Sequence, residues 1–368
     1  MRILFHSRKY DAIAGGVERM SIAIMNEMVR RGHQVELMSL DPESACTFYP
    51  LDPAVCWTRI DIGDPARKAS LSEVLARQAV MRGVIRDFRP NVAVGFQQGA
   101  FVSMAIAALG TGTPVIAAER NAPQRFEHLK DGHGQSFQYA SFYMARFVTV
   151  QFESYREHYP AHVRRRIVCI PNSVPSAEGK SEPAGSTTVR KTLLCVARLS
   201  YQKNQSLLIE AFARIASRFP DWDLEFVGDG EDGMALQALA AALAPPGRIR
   251  FAGAQSDVDC YYRSAQLFCL PSRWEGFPNA LAEAMAFGLP ATGLAECAGV
   301  NSLIENEHTG LLAQEASPRA LADALAVLMA DPSRRVVMGD AARKAIAEYG
   351  PDAVFDRWEQ LFKQAARQ

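Results

Sequence analysis

The chain has 368 residues, of which 48% are hydrophobic and 22% charged. At about 150 residues per domain this length indicates two or three domains, and the composition excludes disordered, collagenous and low-complexity classes. The 40 Lys and Arg residues balance 40 Asp and Glu. We therefore predict a folded protein without a nucleic-acid partner, because such a partner usually requires a basic surplus.

Short apolar strands alternate with helical segments along the chain, as in βα units around parallel sheets. In the first half, a helix is predicted over residues 18–31, closed by Gly32. Strands are predicted at residues 2–7, 34–40, 92–96, 114–119, 147–152 and 166–172. The last four of these strands are expected to be buried on both faces.

A linker composition, PSAEGKSEPAGS, follows at residues 175–186, and a second α/β series then begins. Its strands are predicted at residues 192–198, 224–230, 249–253 and 266–272. Its first helix carries an apolar stripe formed by Leu207, Leu208, Ala211, Phe212, Ile215 and Phe219. The predicted organisation is two doubly wound domains at 1–174 and 191–350, a linker at 175–190 and a terminal helix at 351–368. A ligand cleft is expected between the carboxyl ends of the two sets of strands.

Seven cysteines, an odd number without a CxxC pair, predict buried free thiols in a reducing compartment. The opening segment MRILFHSRKYD is charged too soon for a signal peptide. No uninterrupted run of about 18 apolar residues occurs. We therefore expect a cytoplasmic protein that does not span a membrane.

The charges are divided unevenly between the halves. Residues 1–175 hold 21 Lys and Arg against 16 Asp and Glu, and the remainder holds 19 against 24. Arg164, Arg165 and Arg166 form a short basic run in the positive half. Such a run is typical of a solvated face, and the alternative is contact with an anionic membrane or a lipid diphosphate.

The densest group of candidate site residues lies in PSRWEGFPNALAEAMAFGLP, residues 271–290. A strand is predicted to end at Ser272, a loop carries Glu275, and a helix begins near Asn279 with Glu283 in its first turns. Backbone N–H groups at a helix start suit a diphosphate, and carboxylates accept hydrogen bonds from sugar and ribose hydroxyls. A glutamate in the first turns also has a purely structural explanation, because it interacts favourably with the helix dipole.

Two cations, Arg198 and Lys203, lie at a predicted strand end and the next helix start. Both cations can reach one anion from these positions, and a solvated pair is the structural alternative. Gly15 and Gly16 lie between the first strand and the first helix. They let backbone amides approach a phosphate or sugar, or they form a simple tight turn.

Together these segments resemble the retaining glycosyltransferases of glycosyltransferase family 4, which have the GT-B fold of two Rossmann-like domains with an interdomain cleft. Glu275 and Glu283, at E-x7-E spacing within EGFPNALAEAMAFGLP, resemble the donor-site signature of that family. The segment VARLSYQKN from Val196 resembles the family's G-R-L-x-x-x-K-N.

Further segments extend the resemblance over nearly the whole chain. FVGDGED from Phe226, IPNSV from Ile170 and GGVER from Gly15 resemble the nucleobase-side, interdomain and N-terminal glycine-loop segments of the family. The terminal helix resembles one that packs back onto the N-terminal domain, which in the family binds the acceptor.

The resemblance implies roles for individual residues. Arg198 and Lys203 would stabilise the leaving diphosphate, and Glu275 would contact the donor sugar. Glu283 would contact the ribose. Further donor contacts are implied for Gly15, Gly16, Asp229, Gly276, Phe277, Asn279, Ala280 and Leu281. No side chain is clearly placed as a covalent nucleophile, so we expect same-face attack without a cofactor or a catalytic metal.

On the acceptor side, the segment AAERNAP places Glu119, Arg120 and Asn121 at a predicted strand end. It resembles the S-E-R-N-x-P segment of family members that assemble bacterial capsule, exopolysaccharide or lipid-linked oligosaccharide. Many members have a histidine in the preceding βα loop, whereas this chain has Gln97 and Gln98. This difference argues against a histidine-centred role.

Three other features have structural interpretations. The pairs Asp221/Asp223 and Asp257/Asp259 match D-x-D, the metal-nucleotide signature of a different glycosyltransferase fold. One pair lies at a strand start and the other at a helix start, where aspartate commonly caps the helix. We therefore interpret both matches to D-x-D as coincidental. His6, on the first strand, is interpreted as a core histidine.

We therefore predict a retaining, metal-independent glycosyltransferase that moves a hexose or N-acetylhexosamine from a nucleotide-diphosphate sugar, UDP-linked in preference to GDP-mannose. The predicted acceptor is a lipid-linked saccharide of bacterial surface-polysaccharide assembly, with peripheral contact at the inner face of the plasma membrane. The alternative is a non-catalytic nucleotide-sugar-binding subunit of a glycosyltransferase complex. A nicotinamide oxidoreductase lacks support, because no strand is followed by GxGxxG with an acidic residue about 20 positions on.

Overall fold

The computed structural model describes residues 1–64, 67–129, 132–185 and 190–367. These residues form two compact units, Met1–Ser173 with Asp352–Gln368, and Val174–Pro351. Each unit is built on one parallel sheet whose strands are connected by helices. The predicted α/β class with two Rossmann-like domains is therefore confirmed.

A seven-stranded parallel sheet forms the centre of the first unit. Its strands are β1 (Arg2–His6), β2 (Gln34–Ser39), β3 (Cys56–Arg59), β4 (Val92–Phe96), β5 (Val115–Ala118), β6 (Phe147–Val150) and β7 (Ile167–Cys169). They lie in the order β3-β2-β1-β4-β5-β6-β7, so the strand order reverses between β1 and β4. All six predicted strands of this half are confirmed.

The two edge strands of this sheet differ from expectation. The short segment CWTR of β3 has no apolar run and is only half-buried, which is why the sequence pattern missed it. The prediction that β7 is buried on both faces is wrong, since Val168 and Cys169 are only partly covered. An edge strand has one neighbour, so less of its surface is protected.

Helices connect these strands. They are α1 (Gly16–Arg30), α2 (Leu71–Phe88), α3 (Gln97–Ala107), α4 (Arg125–Leu129), α5 (Gly132–Ser141) and α6 (Ala161–Arg164). Helix α1 buries an apolar stripe that includes Met20, Ile24 and Met28. Gly32, with φ +81°, follows it as predicted, because a left-handed residue at a helix end favours glycine.

The second unit contains a six-stranded parallel sheet. Its strands are β8 (Lys191–Val196), β9 (Trp222–Val227), β10 (Ile249–Phe251), β11 (Leu267–Leu270), β12 (Ala291–Leu294) and β13 (Gly310–Ala313). They lie in the order β10-β9-β8-β11-β12-β13, with the reversal between β8 and β11. The first four were predicted; β12 and β13 are short and contain glycine, so their sequence pattern is weak.

The helices of the second unit are α7 (Gln205–Ile215), α8 (Gly233–Leu243), α9 (Asp259–Ser264), α10 (Asn279–Ala286), α11 (Val300–Leu303), α12 (Pro318–Ala330) and α13 (Pro332–Ile346), of which the last two follow the final strand. The predicted apolar stripe lies on α7, except that Phe219 falls beyond its end. Residues 192–198 and 266–272 were expected as strands, and both strands end a few residues earlier, which leaves Arg198 and Ser272 in loops.

The terminal helix, α14 (Pro351–Ala366), contributes to the core of the first unit. The ring of Phe362 meets that of Phe5 edge-on, with centroids 6.0 Å apart. Arg31 at the end of α1 donates to Asp356 at 2.6 Å and to Glu359 at 2.9 Å. The buried aromatic rings thus hold α14 against the core of the first unit. The ion pairs at the edge of this contact fix the orientation of the helix.

Part of the segment predicted as a linker is fixed to the second unit. Residues 186–189 lie outside the described residues. Before them, the backbone N–H of Ser181 donates to the carbonyl of Phe287 at 2.8 Å. The fully buried Arg335 donates to the carbonyls of Pro183 at 2.6 Å and Ala184 at 2.9 Å. A Pro- and Gly-rich composition therefore does not mean a flexible segment here.

The cysteines are more varied in exposure than expected. All seven are free thiols, and Cys195, Cys269 and Cys297 are buried. Burial raises the pKa of the Cys195 thiol to about 12, because the thiolate would lose its hydration. The prediction of burial is wrong for three cysteines, which lie in a loop, on edge strand β3 and in α9: Cys46, Cys56 and Cys260.

The helices that the structure describes are each too short or too polar to cross a membrane.

Candidate functional site

The candidate donor site lies where the strand order of the second sheet reverses. In doubly wound sheets, ligands bind outside the carboxyl ends of the strands that flank this point. Here these strands are β8 and β11. Lys203 lies in the segment after β8, and Glu275 lies in the segment after β11. Parallel pairing of the two strands therefore brings together residues 72 positions apart in the chain.

Lys203 and Glu275 form an ion pair, with 2.6 Å between Nζ and Oε1. The same carboxylate oxygen accepts a hydrogen bond from Oγ of the fully buried Ser272 at 2.6 Å. The Glu275 side chain is 5% exposed and that of Lys203 is 21% exposed. A carboxylate so deeply buried requires a counter-ion and donors, and these two residues supply them.

The two loops of this site are also joined by hydrogen bonds. The backbone N–H of Arg273 donates to the carbonyl of Gln202 at 2.9 Å, and the Gln202 side chain donates to the carbonyl of Trp274 at 2.8 Å. The Arg273 guanidinium donates to the Asn204 side chain at 2.7 Å. Lys203 and Glu275 are therefore held in place from both sides of the pair.

Arg198 follows β8 and is exposed. Among the described residues, no carboxylate forms an ion pair with its guanidinium. The carbonyl of Arg198 accepts a hydrogen bond from the Gln205 side chain at 2.8 Å, which fixes the backbone of the loop. Arg198 is therefore a cation with a fixed backbone and an available side chain.

Two glycines after β9 allow close packing against this loop. A Cβ atom on Gly228 would lie 2.1 Å from the carbonyl oxygen of Ala197, and one on Gly230 would lie 2.3 Å from that of Leu199. Asp229 is exposed between them, and its carbonyl accepts from the N–H of Leu199 at 2.9 Å. The FVGDG segment thus supports the backbone that carries Arg198.

Helix α10 begins at Asn279, as predicted. Pro278 precedes it and makes no side-chain cap, and the N–H of Asn279 donates to the carbonyl of Phe277 at 2.9 Å. Asn279 and Ala280 are half-buried at this end. Gly276, Phe277 and Leu281, the other predicted donor-site residues of this segment, are buried. An uncapped start of an eight-residue helix at a sheet's switch point has donors suited to an anion.

The D-x-D pairs have structural roles. Asp223 accepts hydrogen bonds from Arg190, Arg248 and Arg250. Burial raises its pKa, but the hydrogen bonds and charges of these arginines outweigh that effect and hold the pKa below its usual value. The Asp257 side chain accepts from the backbone N–H of Asp259 at 3.0 Å. Among the described residues, no three His, Cys, Asp or Glu side chains form a group suited to a metal ion.

In the first unit, Gly15 caps α1 and Gly16 begins it, directly after the loop that follows β1. A Cβ atom on Gly15 would lie 2.0 Å from Oε2 of Glu18, so the glycine leaves room for that carboxylate. The first sheet reverses its strand order at β1 and β4. Gln97 and Gln98 follow β4, and Gln97 adopts a left-handed φ of +65°.

Glu119 follows β5 and its carboxylate is buried. Its Oε1 accepts from the backbone N–H groups of Arg120 at 3.1 Å and Asn121 at 3.0 Å, and from Arg125 at 3.1 Å. Gln138 of α5 donates to the other oxygen. This carboxylate joins the end of β5 to α4 and α5, while Asn121 beside it is half-buried.

Arg120 is buried as well. Its guanidinium donates to the Thr149 side chain and, at 3.3 Å, to the carbonyl of Ile170, and it lies 5.3 Å from the ring centroid of Trp358. Burial lowers the pKa of Arg120 to about 10, because the charged form loses hydration. Glu119 and Arg120 therefore use these hydrogen bonds within their own unit, and an acceptor role for them stays a prediction.

His6 is a core histidine, as predicted. Its side chain is buried, and Nδ1 lies 3.0 Å from the carbonyl oxygen of Met38. Since a carbonyl only accepts, Nδ1 carries the proton. Burial lowers the pKa of His6 to about 4, so it is neutral at pH 7.

The sequence pattern missed two site residues. Ser272 was placed only as a strand end, and its contact with Glu275 was not expected. Tyr262 of α9 donates to Oε2 of Glu283 at 3.0 Å across 21 positions of sequence. Neither residue belongs to a charged or glycine-rich sequence pattern, so its contact with the site is visible only in the three-dimensional structure.

These features define a two-domain α/β protein with a carboxylate, two cations and a helix start at the switch point of one sheet. Residues 178–345 match the family of glycosyl transferases group 1, and residues 15–173 match the glycosyl transferase 4-like domain. The fold and both matches together support a glycosyltransferase of the GT-B type.

Individual comparisons agree with this class. The chain is 34% identical to an uncharacterized glycosyltransferase of Haemophilus influenzae over 171 residues, 46% of this chain and 48% of that protein. It is 28% identical to the amylovoran biosynthesis glycosyltransferase AmsD of Erwinia amylovora over 169 residues, 46% and 47%. The match thus spans about half the length of these curated relatives. Anabaena HepE, solved with UDP and glucose, has the same fold, with a TM-score of 0.78 at 17% identity and 99% coverage of both chains.

Proposed function

We propose that this protein is a retaining glycosyltransferase that transfers a hexose or N-acetylhexosamine from a nucleotide-diphosphate sugar to a lipid-linked saccharide. The observation that carries the proposal is the Lys203–Glu275 pair, with exposed Arg198 beside the same switch point. Nucleotide-sugar cleavage leaves negative charge on the departing diphosphate. Fixed cations stabilise that charge more as it develops, so they lower the barrier to transfer.

The remaining site residues take complementary roles in this proposal. Glu275 accepts a hydrogen bond from a hydroxyl of the donor sugar, and Glu283 accepts from the ribose. The N–H groups at the start of α10 bind the diphosphate. The Asp223 carboxylate already accepts hydrogen bonds from three arginines, so it is not available to a metal ion. We therefore propose a mechanism without a catalytic metal and without a cofactor. The acceptor hydroxyl attacks from the face that the diphosphate leaves, and a phosphate oxygen takes its proton.

The comparisons support the substrate classes of the proposal. HepE was solved with UDP and glucose, and on this precedent we propose a UDP-linked donor. The named relative AmsD acts in amylovoran biosynthesis, which favours a role in bacterial surface polysaccharide assembly. The acceptor would be bound by the first unit, with Asn121 at the carboxyl end of its sheet, and Gly15 and Gly16 at the same end would contact the donor.

A nucleotide-sugar panel tests the proposal. We expect a UDP-sugar to raise the unfolding temperature of the purified protein, because a ligand at about 100 times its Kd stabilises by about 2.7 kcal/mol. The stabilising donor should be hydrolysed, or transferred to a membrane extract, at a similar rate in EDTA. NMR of the product should show a retained anomeric configuration.

Three results would contradict it. Stabilisation without hydrolysis or transfer would favour the non-catalytic binding subunit. Loss of activity in EDTA that Mg²⁺ restores would exclude the metal-free mechanism, and an inverted product would exclude same-face attack.

The lipid-linked acceptor leads us to propose peripheral membrane contact, at a surface other than the basic run. Arg164 donates to the carbonyl of Tyr159 at 2.6 Å, and Arg166 donates to the carbonyls of Tyr143 and Ala145. These two guanidiniums therefore already form hydrogen bonds with nearby backbone carbonyls. A different group of arginines provides a second basic surface.

This surface surrounds the turn at residues 110–113. Arg82, Arg86 and Arg89 line a cavity of about 520 Å³ on one side of the turn. Arg146 lines a cavity of about 410 Å³ on the other side, together with Leu109, which is 58% exposed. No carboxylate is among the described residues that line either cavity.

Vesicle co-sedimentation tests this contact. We expect binding to vesicles with anionic phosphatidylglycerol at low salt, and release at raised salt, because each basic side chain near an anionic leaflet contributes about 1 kcal/mol. Arg86→Glu should weaken binding severalfold. Arg319→Glu, at an exposed helix position of the second unit, is the matched charge reversal and should have no effect. Equal binding to neutral and anionic vesicles would refute the electrostatic contact.

A further inference from the structure

Tyr262 is a buried residue that makes a polar contact with Glu283, one of the predicted donor-site residues. It lies on the short helix α9 and is 1% exposed. Its hydroxyl donates to Oε2 of Glu283 at 3.0 Å, and Glu283 is half-buried on α10. The tyrosine is therefore too deeply buried to meet a ligand, whereas the carboxylate that it contacts is partly open.

The position of the Tyr262 ring does not depend on this hydrogen bond. The ring stacks on that of Phe287, with centroids 5.5 Å apart and planes at 23°. It also packs against Phe268, with centroids 6.1 Å apart. Because these aromatic contacts fix the ring, the hydroxyl is a donor at a fixed point. Removal of the hydroxyl alone would leave the packing in place.

A glutamate side chain has three torsions, so an unrestrained carboxylate must be ordered when a ligand binds. A fixed hydrogen-bond donor on one carboxylate oxygen restricts these torsions before the ligand arrives. Most of the entropy cost of ordering the side chain is then removed from binding. We propose that Tyr262 is a positioning residue, which holds the Glu283 carboxylate ready to accept from the ribose hydroxyls of the nucleotide. The inference rests on the proposed function, because it requires nucleotide binding at this site.

A purely structural role makes a different prediction. A buried tyrosine hydroxyl requires some hydrogen-bond partner, and Glu283 would serve. In that case Tyr262→Phe would change stability alone, or would weaken every nucleotide equally. A positioning role weakens only those ligands that have ribose hydroxyls for Glu283 to bind.

The experiment compares Tyr262→Phe with the wild type by calorimetric titration of UDP and of 2′,3′-dideoxy-UDP. The corresponding GDP pair is used if the wild type binds GDP more tightly. In the wild type, UDP should bind at least tenfold more tightly than its dideoxy analogue. In Tyr262→Phe, Kd for UDP should rise about fivefold to tenfold, because the Glu283 side chain must then be ordered when the nucleotide binds, and Kd for the dideoxy analogue should stay within twofold.

Tyr10→Phe is the matched control. Tyr10 is also 1% exposed, and its hydroxyl donates to Ser21 at 2.8 Å in the first unit. This variant should bind both nucleotides like the wild type. Equal weakening of both nucleotides in Tyr262→Phe, or an unchanged Kd for UDP, would overturn the positioning role and leave the proposed function intact. A wild-type protein that binds no nucleotide would overturn both.

Discussion

Arg198→Ala is expected to lower kcat/KM by about 10³-fold, while the free energy of unfolding stays within about 0.5 kcal/mol of the wild-type value. The guanidinium is exposed and forms no ion pair with a described carboxylate, so its removal leaves no buried charge without a partner. It would act mainly on the charge that develops on the leaving diphosphate. Initial rates and urea denaturation measure the two effects separately.

A cation of the same unit that lies outside the site provides the control. Lys191 pairs with Asp221 at the start of β8, at the opposite ends of these strands. Lys191→Ala should keep full activity. If Arg198→Ala also kept near wild-type rates, the leaving-group role of this residue would be wrong.

Lys203→Ala should be equally inactive but less informative, because Lys203 has two roles. When Lys203 is removed, the buried Glu275 carboxylate loses its cationic partner and keeps only the hydrogen bond from the neutral Ser272 hydroxyl among the contacts described above. Breaking such a pair destabilises a protein beyond the energy of the contact itself. A loss of activity in this variant would therefore combine lost catalysis with a disturbed site.

The local features of this protein could be predicted from its sequence. Apolar runs predict ten of the strands, and the motifs that follow β8 and β11 predict that their residues share one site. This succeeds because parallel strands with covered faces have continuous apolar sequences, and because their carboxyl ends lie along one edge of the sheet.

The individual side-chain contacts between distant parts of the chain could not be predicted. The pattern of α14 shows an amphipathic helix, but not that its aromatic face packs with Phe5. The polarity of Glu119 suggested an acceptor-facing side chain, whereas the fold buries it among four donors. A polar residue at a strand end can bind a ligand or hold its own loop, and only its neighbours in space decide between them.

Gly230→Ala is expected to lower kcat/KM by about 10²-fold without any change to a side chain that would touch the donor. The new Cβ would lie 2.3 Å from the carbonyl oxygen of Leu199 and 2.8 Å from its nitrogen, both backbone atoms. Since side chains do not approach so closely, the loop would have to move by about 1 Å. A displacement of that size can cost about 10²-fold in rate.

The loop cannot move away without further loss, because hydrogen bonds tie it to the glycine segment. The N–H of Leu199 donates to the carbonyl of Asp229 at 2.9 Å, and the N–H of Asp232 donates to the carbonyl of Leu199 at 3.1 Å. Arg198 immediately precedes this residue. Its guanidinium would therefore shift with the backbone, away from the leaving diphosphate.

Gly233→Ala tests whether this effect is steric. Its Cβ would meet only side-chain atoms, Cδ1 of Leu199 at 3.5 Å and Oδ1 of Asp229 at 3.9 Å, which are ordinary contact distances, although it lies three positions further along the chain. This variant should keep activity and should be slightly more stable, because alanine at a compatible position reduces the entropy of the unfolded chain. Equal activity of the two variants would show that the close approach at Gly230 does not position Arg198. A selective loss in Gly230→Ala, with UDP affinity retained, would connect the FVGDG backbone to the chemical step through the loop that carries Arg198.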